Sequence, residues 1–393
     1  MATAFPVKYC HSAMRGAPEI TAQPGTLLAV LRAFLMTGFG SATAQSVTVD
    51  NGVATAIMGS GNSFEEYSVV QITGADDAAL NGEARIATAT ASTITWATNA
   101  ADGDKTGTIH IRYAPVGGWE EPFTGTPEKA VFRSTEPESA RHCLRIDDSA
   151  IKWAAVRGYE SMSDLDNGSG SFPAAQHNVA AWLKSSASDN KPVRWDLVAD
   201  SRMILLAIAP SSHSGSSSIA AIVRGFGEAV TLSPSGDPWL SLLCCSYTDS
   251  GSYHYGGLCQ SYNSSDSSTG GTQCCRAYTG LGGAIVVRHR PLVGGNSISG
   301  DDDFLGPFPS IIDGQLKYSR KIITTAHNDN TARALLPGLL HIPQKNVMTS
   351  ISARSRMQGE GEMAGRQLLA LPVSDSSSSP RGIQLIDITG PWR

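Results

Sequence analysis

"SVTVDNGVATAIM", residues 46–58, decides the fold. Val47 and Val49 alternate with Ser46, Thr48 and Asp50, and the alternation resumes after residue 52. A period of two puts every second side chain on one face of a strand. Asn51-Gly52 sits between the two runs. A tight hairpin turn prefers that dipeptide, because both central residues must adopt positive φ. The stretch therefore reads as strand, turn, strand. "EYSVVQITGAD", "GEARIATATASTITWAT" and "TGTIHIRYAP" continue the pattern, with breaks at Asn81-Gly82 and Asp102-Gly103. Turn signals at this spacing suit a small sandwich or barrel. Pro115 and Gly117-Gly118 close the module, which we place at residues 43–114.

On the N-terminal side, residues 1–42 form a segment holding the best helix of the chain, "TAQPGTLLAVLRAFLMTGFG". Leu27, Leu28, Leu31, Phe34 and Leu35 fall near helical spacing, and Gly38 is a natural terminator. On the C-terminal side, residues 115–393 read as a main β-sandwich-like domain with long loops, open to a further division near residue 310. "KAVFRS", "RHCLRIDD", "IKWAAVRGYES", "RWDLVADSRMILLAIAP" and "SSIAAIVRGFGEAVTL" are each read as a strand segment. Shorter ones follow in "GQLKYSRKIITT", "GLLHIP", "RQLLALPV" and "GIQLIDITGPW". The fold class is mainly β: small β-sandwich or barrel modules with one short N-terminal helix.

Composition narrows the function. Of 393 residues only 17% are charged, the net charge is -5, and no sustained basic run occurs. A nucleic-acid partner is not expected. No apolar run approaches the roughly 20 residues of a membrane helix. "MATAFPVKYCHSAMRG" lacks a basic segment followed by an apolar core, so no signal peptide is read and folding in a reducing cytosol is expected.

Five of the seven cysteines lie between Cys244 and Cys275, as two adjacent pairs and the lone Cys259. Structural zinc sites use C-x2–4-C spacing. Adjacent residues of an extended strand point to opposite faces, so neither Cys244-Cys245 nor Cys274-Cys275 is expected to hold one metal, and His254 does not restore a zinc pattern. We expect two strand ends, at 240–248 and 272–279, joined by a long Ser/Gly/Tyr excursion with free thiols. No cofactor and no metal site is assigned.

Other motifs fail on chemistry. "DLDNGSG" starts like a calcium loop, but Ala175 stands where a bidentate carboxylate belongs. It reads as an Asx-rich turn, and Asp301 to Asp303 as a solvated loop. "GNSIS" from Gly295 lacks the second glycine of a nucleophile elbow. His213, His289 and His341 show no Asp/Ser constellation nearby in sequence. Glu120-Glu121 and Asp147-Asp148 read as solvated surface acids rather than a glycosidase pair. No enzymatic activity is expected. Tyr247, Tyr253, Tyr255 and Tyr262 (with Tyr278 beyond) gather around the cysteine segment, and such Tyr/Ser/Gly surfaces serve as contact loops.

Several phrases occur in the order seen in a family of tailed-bacteriophage virion proteins, the minor tail or baseplate structural proteins. They are "FPVKYCHSAMRGAPEI" with "GFGS", "VRGYESMSDLDNGSGSFP", "RGFGEAVTLSPSGD", "LPGLLHIPQ" and "LIDITGPWR". The chain resembles that family from Phe5 to Arg393, and the inner module resembles small β modules of other phage proteins. The resemblance implies a structural part of the virion tail, assembled in the host cytoplasm, with other virion proteins and copies of itself as partners. It carries over no catalytic residue. The other readings are a tail protein that binds a host surface receptor or carbohydrate, and a capsid decoration protein. Virion parts commonly form closed symmetric rings, so self-association is expected.

Overall fold

The computed structural model describes residues 5–59, 61–123, 125–174, 180–212, 220–247, 257–259, 270–295, 297–325, 331–374 and 380–393. The fold is mainly β, and every ladder between its strands is antiparallel.

Strands from residues 39–113 form one eight-stranded sheet. In spatial order they are Phe39–Thr43, Gly107–Tyr113, Val69–Ala75, Gly82–Ala89, Thr93–Ala97, Val53–Ile57, Ser46–Asp50 and Gly103–Lys105. The opening hairpin forms as its pattern dictates. Asn51 and Gly52 have φ of 49° and 76°, and Asp50 pairs with Val53. Val47, Val49, Ala54, Ala56, Ile94 and Trp96 are buried while their neighbours along the strand face outward.

The remaining strands build a larger, branched sheet. Ser241–Tyr247 is its hinge point. One edge pairs with Gly270–Cys274. The other edge is shared, its first half by Ile222–Glu228 and its end by Ala180–Leu183. From Gly270–Cys274 the ladder runs through Ile285–Pro291, Ser319–Thr325 and Ala332–His341 to Gly382–Asp387 and Gln367–Val373. The strand ends expected on either side of the cysteine segment are thus hydrogen-bonded partners, but the second runs Gly270–Cys274 and stops short of the expected 279, because the chain bends at Cys275. "RWDLVADSRMILLAIAP" is not one strand but a hairpin, Arg194–Ala199 with Met203–Ala209. Asp200 breaks it: its carboxylate accepts the backbone N–H groups of Arg202 and Met203.

The helix runs Thr26–Arg32 and continues as a wider π-turn, Ala33–Thr37. It stops at Gly38, where φ is 71° and a Cβ would lie 2.4 Å from the Tyr113 carbonyl oxygen. Leu27, Leu28, Leu31, Phe34 and Leu35 bury its apolar stripe. No side chain at its own N-terminus caps it. Asp148 does so from the end of Cys143–Asp147, accepting the N–H groups of Leu27 at 2.8 Å and Leu28 at 3.3 Å. Of the acids expected in solvent, Asp148 is therefore wholly buried. Glu120 and Glu121 are only partly exposed and are ion-paired, Glu120 with Arg133 and Arg141, Glu121 with Arg32. A short run of two acids cannot reveal which of them turns inward at a strand end.

Candidate functional site

The segment after Ile285–Pro291 leaves the sheet and carries the largest group of exposed apolar side chains. Leu292, Val293, Phe304, Leu305, Ile311 and Ile312 are exposed, the two isoleucines to 89% and 91%. Isolated exposed apolar residues are ordinary, so six within one segment single this region out.

This surface is held stiffly. Asp302, expected in a solvated loop, is 1% exposed. Its carboxylate accepts His341 Nε2 at 2.7 Å, Gly295 N at 2.6 Å and Phe304 N at 3.1 Å. Those three bonds outweigh burial and hold the carboxyl below its ordinary range. Burial pushes His341 down, which leaves a neutral ring donating to Asp302. The histidine therefore has an acid partner that the chain order conceals, and the next residue is held too: Ser299 Oγ accepts the N–H of Ile342 at 2.7 Å. Gln344, fully buried, accepts Lys317 N–H and donates to the carbonyls of Pro307 and Gln315. At the tip, Gly314 N–H donates to Ser310 O, and Asp313 pairs with Lys317.

Beside the tip lies a groove of about 440 Å³, lined by Val293, Leu305, Leu316, Tyr318, Leu340 and Met363 among others. Its floor belongs to a second apolar core around Ile342, Val347, Leu368 and Leu385. Tyr318 clamps its rim, donating to Glu360 O and accepting Glu360 N–H. This surface escaped sequence reading. The available signal was Ile311-Ile312, two adjacent large apolar residues inside a Pro/Gly/Asp turn where alternation is absent.

A second cleft, also about 440 Å³, is polar in its charged lining: Glu138, Arg202, Glu228, Asp237 and Arg393. Arg202 reaches both Glu138 and Glu228 at 3.6 Å. Outside this lining, the hydroxyl of exposed Tyr278 lies 3.2 Å from Ser233 Oγ and 3.1 Å from Ser235 Oγ.

Of the tyrosines expected in a contact loop, Tyr253, Tyr255 and Tyr262 lie outside the described residues, as do His213 and His254. Tyr247 ends its strand opposite Ala180. "DLDNGSG" forms the turn of a small hairpin. Asp164 accepts the N–H groups of Asp166 and Asn167, and Asp166 pairs with Arg145 and Lys129. Among the described residues no group of three or more His, Cys, Asp or Glu side chains is placed to hold a metal.

All seven cysteines are free and buried. Cys244 and Cys245 lie within a strand, but the expectation that an adjacent pair points apart fails at Cys274-Cys275. The chain bends at Cys275. Both sulfurs then turn to one acceptor, the Trp239 carbonyl oxygen, at 2.7 and 3.2 Å.

The fold and this site define a β-rich protein with exposed apolar side chains on a hydrogen-bonded loop. No protein family and no curated protein matches the chain. Among solved structures, it is similar to the phage phi92 endosialidase at 10% identity, covering 89% of this chain and 52% of that one, with a TM-score of 0.16. The chain thus spans about half the length of that protein, and a superposition at so low a score establishes no shared fold. No helix among the described residues is long and apolar enough to cross a membrane.

Proposed function

We propose that this chain is a non-enzymatic building block of a tailed-phage virion, most specifically of its tail or baseplate, acting through protein–protein contact. The observation that carries the reading is Ile311-Ile312, displayed almost fully to solvent on a loop pinned by Asp302 and Gln344. Fully burying an isoleucine side chain contributes about 1.5–3 kcal/mol. A loop held in one shape loses little entropy on docking. The partner is another virion protein or a second copy of the chain. The ordered sequence phrases shared with tail structural proteins supply the setting. Mass spectrometry of purified particles tests it: the reading expects the chain in fixed copy number in tails, and its absence from particles overturns it.

A second reading rests on the other cleft. Its paired carboxylates and guanidiniums, Glu138 and Glu228 with Arg202, suit a hydroxylated ligand, such as a host-surface carbohydrate. Glycan-array binding that is lost in Arg202→Ala would favour it. An unchanged viscosity of host polysaccharide after incubation with the purified protein supports the non-enzymatic part of the proposal, and a fall in viscosity contradicts it.

A further inference from the structure

Cys274 and Cys275 are adjacent, and their thiols converge on one acceptor, the Trp239 carbonyl oxygen, at 2.7 and 3.2 Å. Arg333 approaches Cys274 Sγ at 3.5 Å. That guanidinium is fixed by Asp237 at 2.7 and 3.1 Å and by the Arg276 carbonyl at 2.7 Å. Asp237's side chain is fully buried, and the Arg333 guanidinium of this pair is the group that meets Cys274 Sγ. Above the thiols lies Trp239, half-buried, with the Arg276 guanidinium 4.9 Å from its ring centroid and His142 stacked on it at 6.3 Å. Glu160 fixes Arg276 through two bonds. The dithiol is therefore buried and bonded to the backbone of a partly exposed tryptophan.

We infer that Cys274-Cys275 is a modification site: a vicinal dithiol that closes reversibly to a disulfide by exchange with a low-molecular-weight disulfide. The two sulfurs are not equivalent. Burial disfavours a thiolate at both positions, but the Arg333 guanidinium stands 3.5 Å from Cys274 Sγ and favours the thiolate there. Cys274 is the attacking thiol and Cys275 the resolving one.

The exchange balances in two steps. The Cys274 thiolate attacks one sulfur of RSSR, the S–S bond breaks, and RS⁻ leaves and takes up a proton. Cys275 then loses its proton and attacks the Cys274 sulfur of the mixed disulfide, expelling the second RS⁻. The protein loses two electrons and two protons, and RSSR becomes two RSH. Adjacent Cα atoms are about 3.8 Å apart, short of the usual disulfide span of about 4.4–6.8 Å, so the closed ring is strained and readily reduced. Closure also removes both S–H donors from the Trp239 carbonyl, which couples the redox state to the Trp239–Arg276 cover.

Incubation of the reduced, full-length protein with oxidised glutathione, followed by acid quench, alkylation and peptide mapping, tests this directly. The expected result is loss of two hydrogens within the 274–275 peptide, reversed by dithiothreitol, with the other five thiols alkylated. Cys275→Ser should trap a glutathione adduct on Cys274, and Trp239→Ala should speed closure by at least about tenfold, by opening access. The wild-type map alone decides the matter should a variant fail to fold. Both thiols still alkylated after exposure that oxidises an unfolded control would overturn the inference. So would an adduct that persists on wild-type Cys274, or a disulfide joining either residue to another cysteine.

Discussion

Asp148 and Lys184, neither exposed to solvent at all, face each other at 2.5 Å beneath the N-terminus of the helix. Asp148 also accepts the N–H groups of Leu27 and Leu28, while Lys184 donates to the Gln23 carbonyl at 2.7 Å. Burial pushes Asp148 up and Lys184 down, so each charge is maintained by the other. Removing one partner of a buried pair strands the other charge and costs about 3–5 kcal/mol. Asp148→Ala should reach or exceed that range, because it also uncaps the helix. Asp148→Asn keeps an acceptor for Leu27 and should cost less. Urea denaturation checks the order, and equal losses for the two variants would refute the capping role.

Asp302 and His341 make stability acid-sensitive in a defined window. Asp302 is held below its ordinary value, so its contribution is present above about pH 3.9 and is lost as pH falls further. His341 is held neutral by burial, against the raising effect of Asp302 and with Lys321 adding to the depression. Below about pH 6.5 the unfolded chain takes up a proton that the folded chain resists, so the native state loses stability by up to about 1.4 kcal/mol per pH unit. His341→Gln keeps an N–H at similar reach of Asp302 and removes the titration. It should flatten the loss of stability between pH 6.5 and 5 relative to wild type. An unchanged slope would contradict this.

Lys321 works in the opposite range. It is fully buried, and desolvation brings it down to about 7, opposed by nearby Cys259 and Cys244. The folded state therefore disfavours the charged lysine at neutral pH, by on the order of 4 kcal/mol, and regains stability as pH rises from 7 toward 10.5. Lys321→Met removes that cost. The Leu258 carbonyl, which Lys321 binds at 2.5 Å, keeps a second donor in Gln384 at 3.2 Å. The variant should be more stable than wild type at pH 7, with the gap narrowed to about 1.4 kcal/mol by pH 9.5. A destabilised variant at both pH values would show that this buried amine contributes net stability.

The exposed isoleucines separate folding from association. Ile311→Asp and Ile312→Asp touch no buried group, so thermal denaturation should change by less than about 0.5 kcal/mol. Association with the partner surface should weaken by about 1.5–3 kcal/mol per site. Co-sedimentation with assembled particles reads the second effect. Loss of folding together with association would deny these residues a surface role.

Much of the fold was legible locally. The Asn51-Gly52 hairpin, the helix ending at Gly38 and the strands flanking the cysteine segment follow from period, turn chemistry and stripe. The site was not. The cap on the helix comes from 121 positions away in Asp148, and Asp302 meets His341 across 39 residues. Each acid sits next to another acid in sequence, and only tertiary structure selects the one that turns inward. Cys274-Cys275 misled for a related reason: the opposite-face rule holds within a strand, and this pair straddles its end.

Leu292, Val293, Phe304, Leu305, Ile311 and Ile312 are proposed to form an assembly interface. A reconstruction of the intact particle, with this chain located in it, tests that most directly. The account predicts Ile311 and Ile312 buried against a neighbouring chain in the tail. Finding the chain in the particle with both side chains in open solvent, or not finding it there, would contradict it.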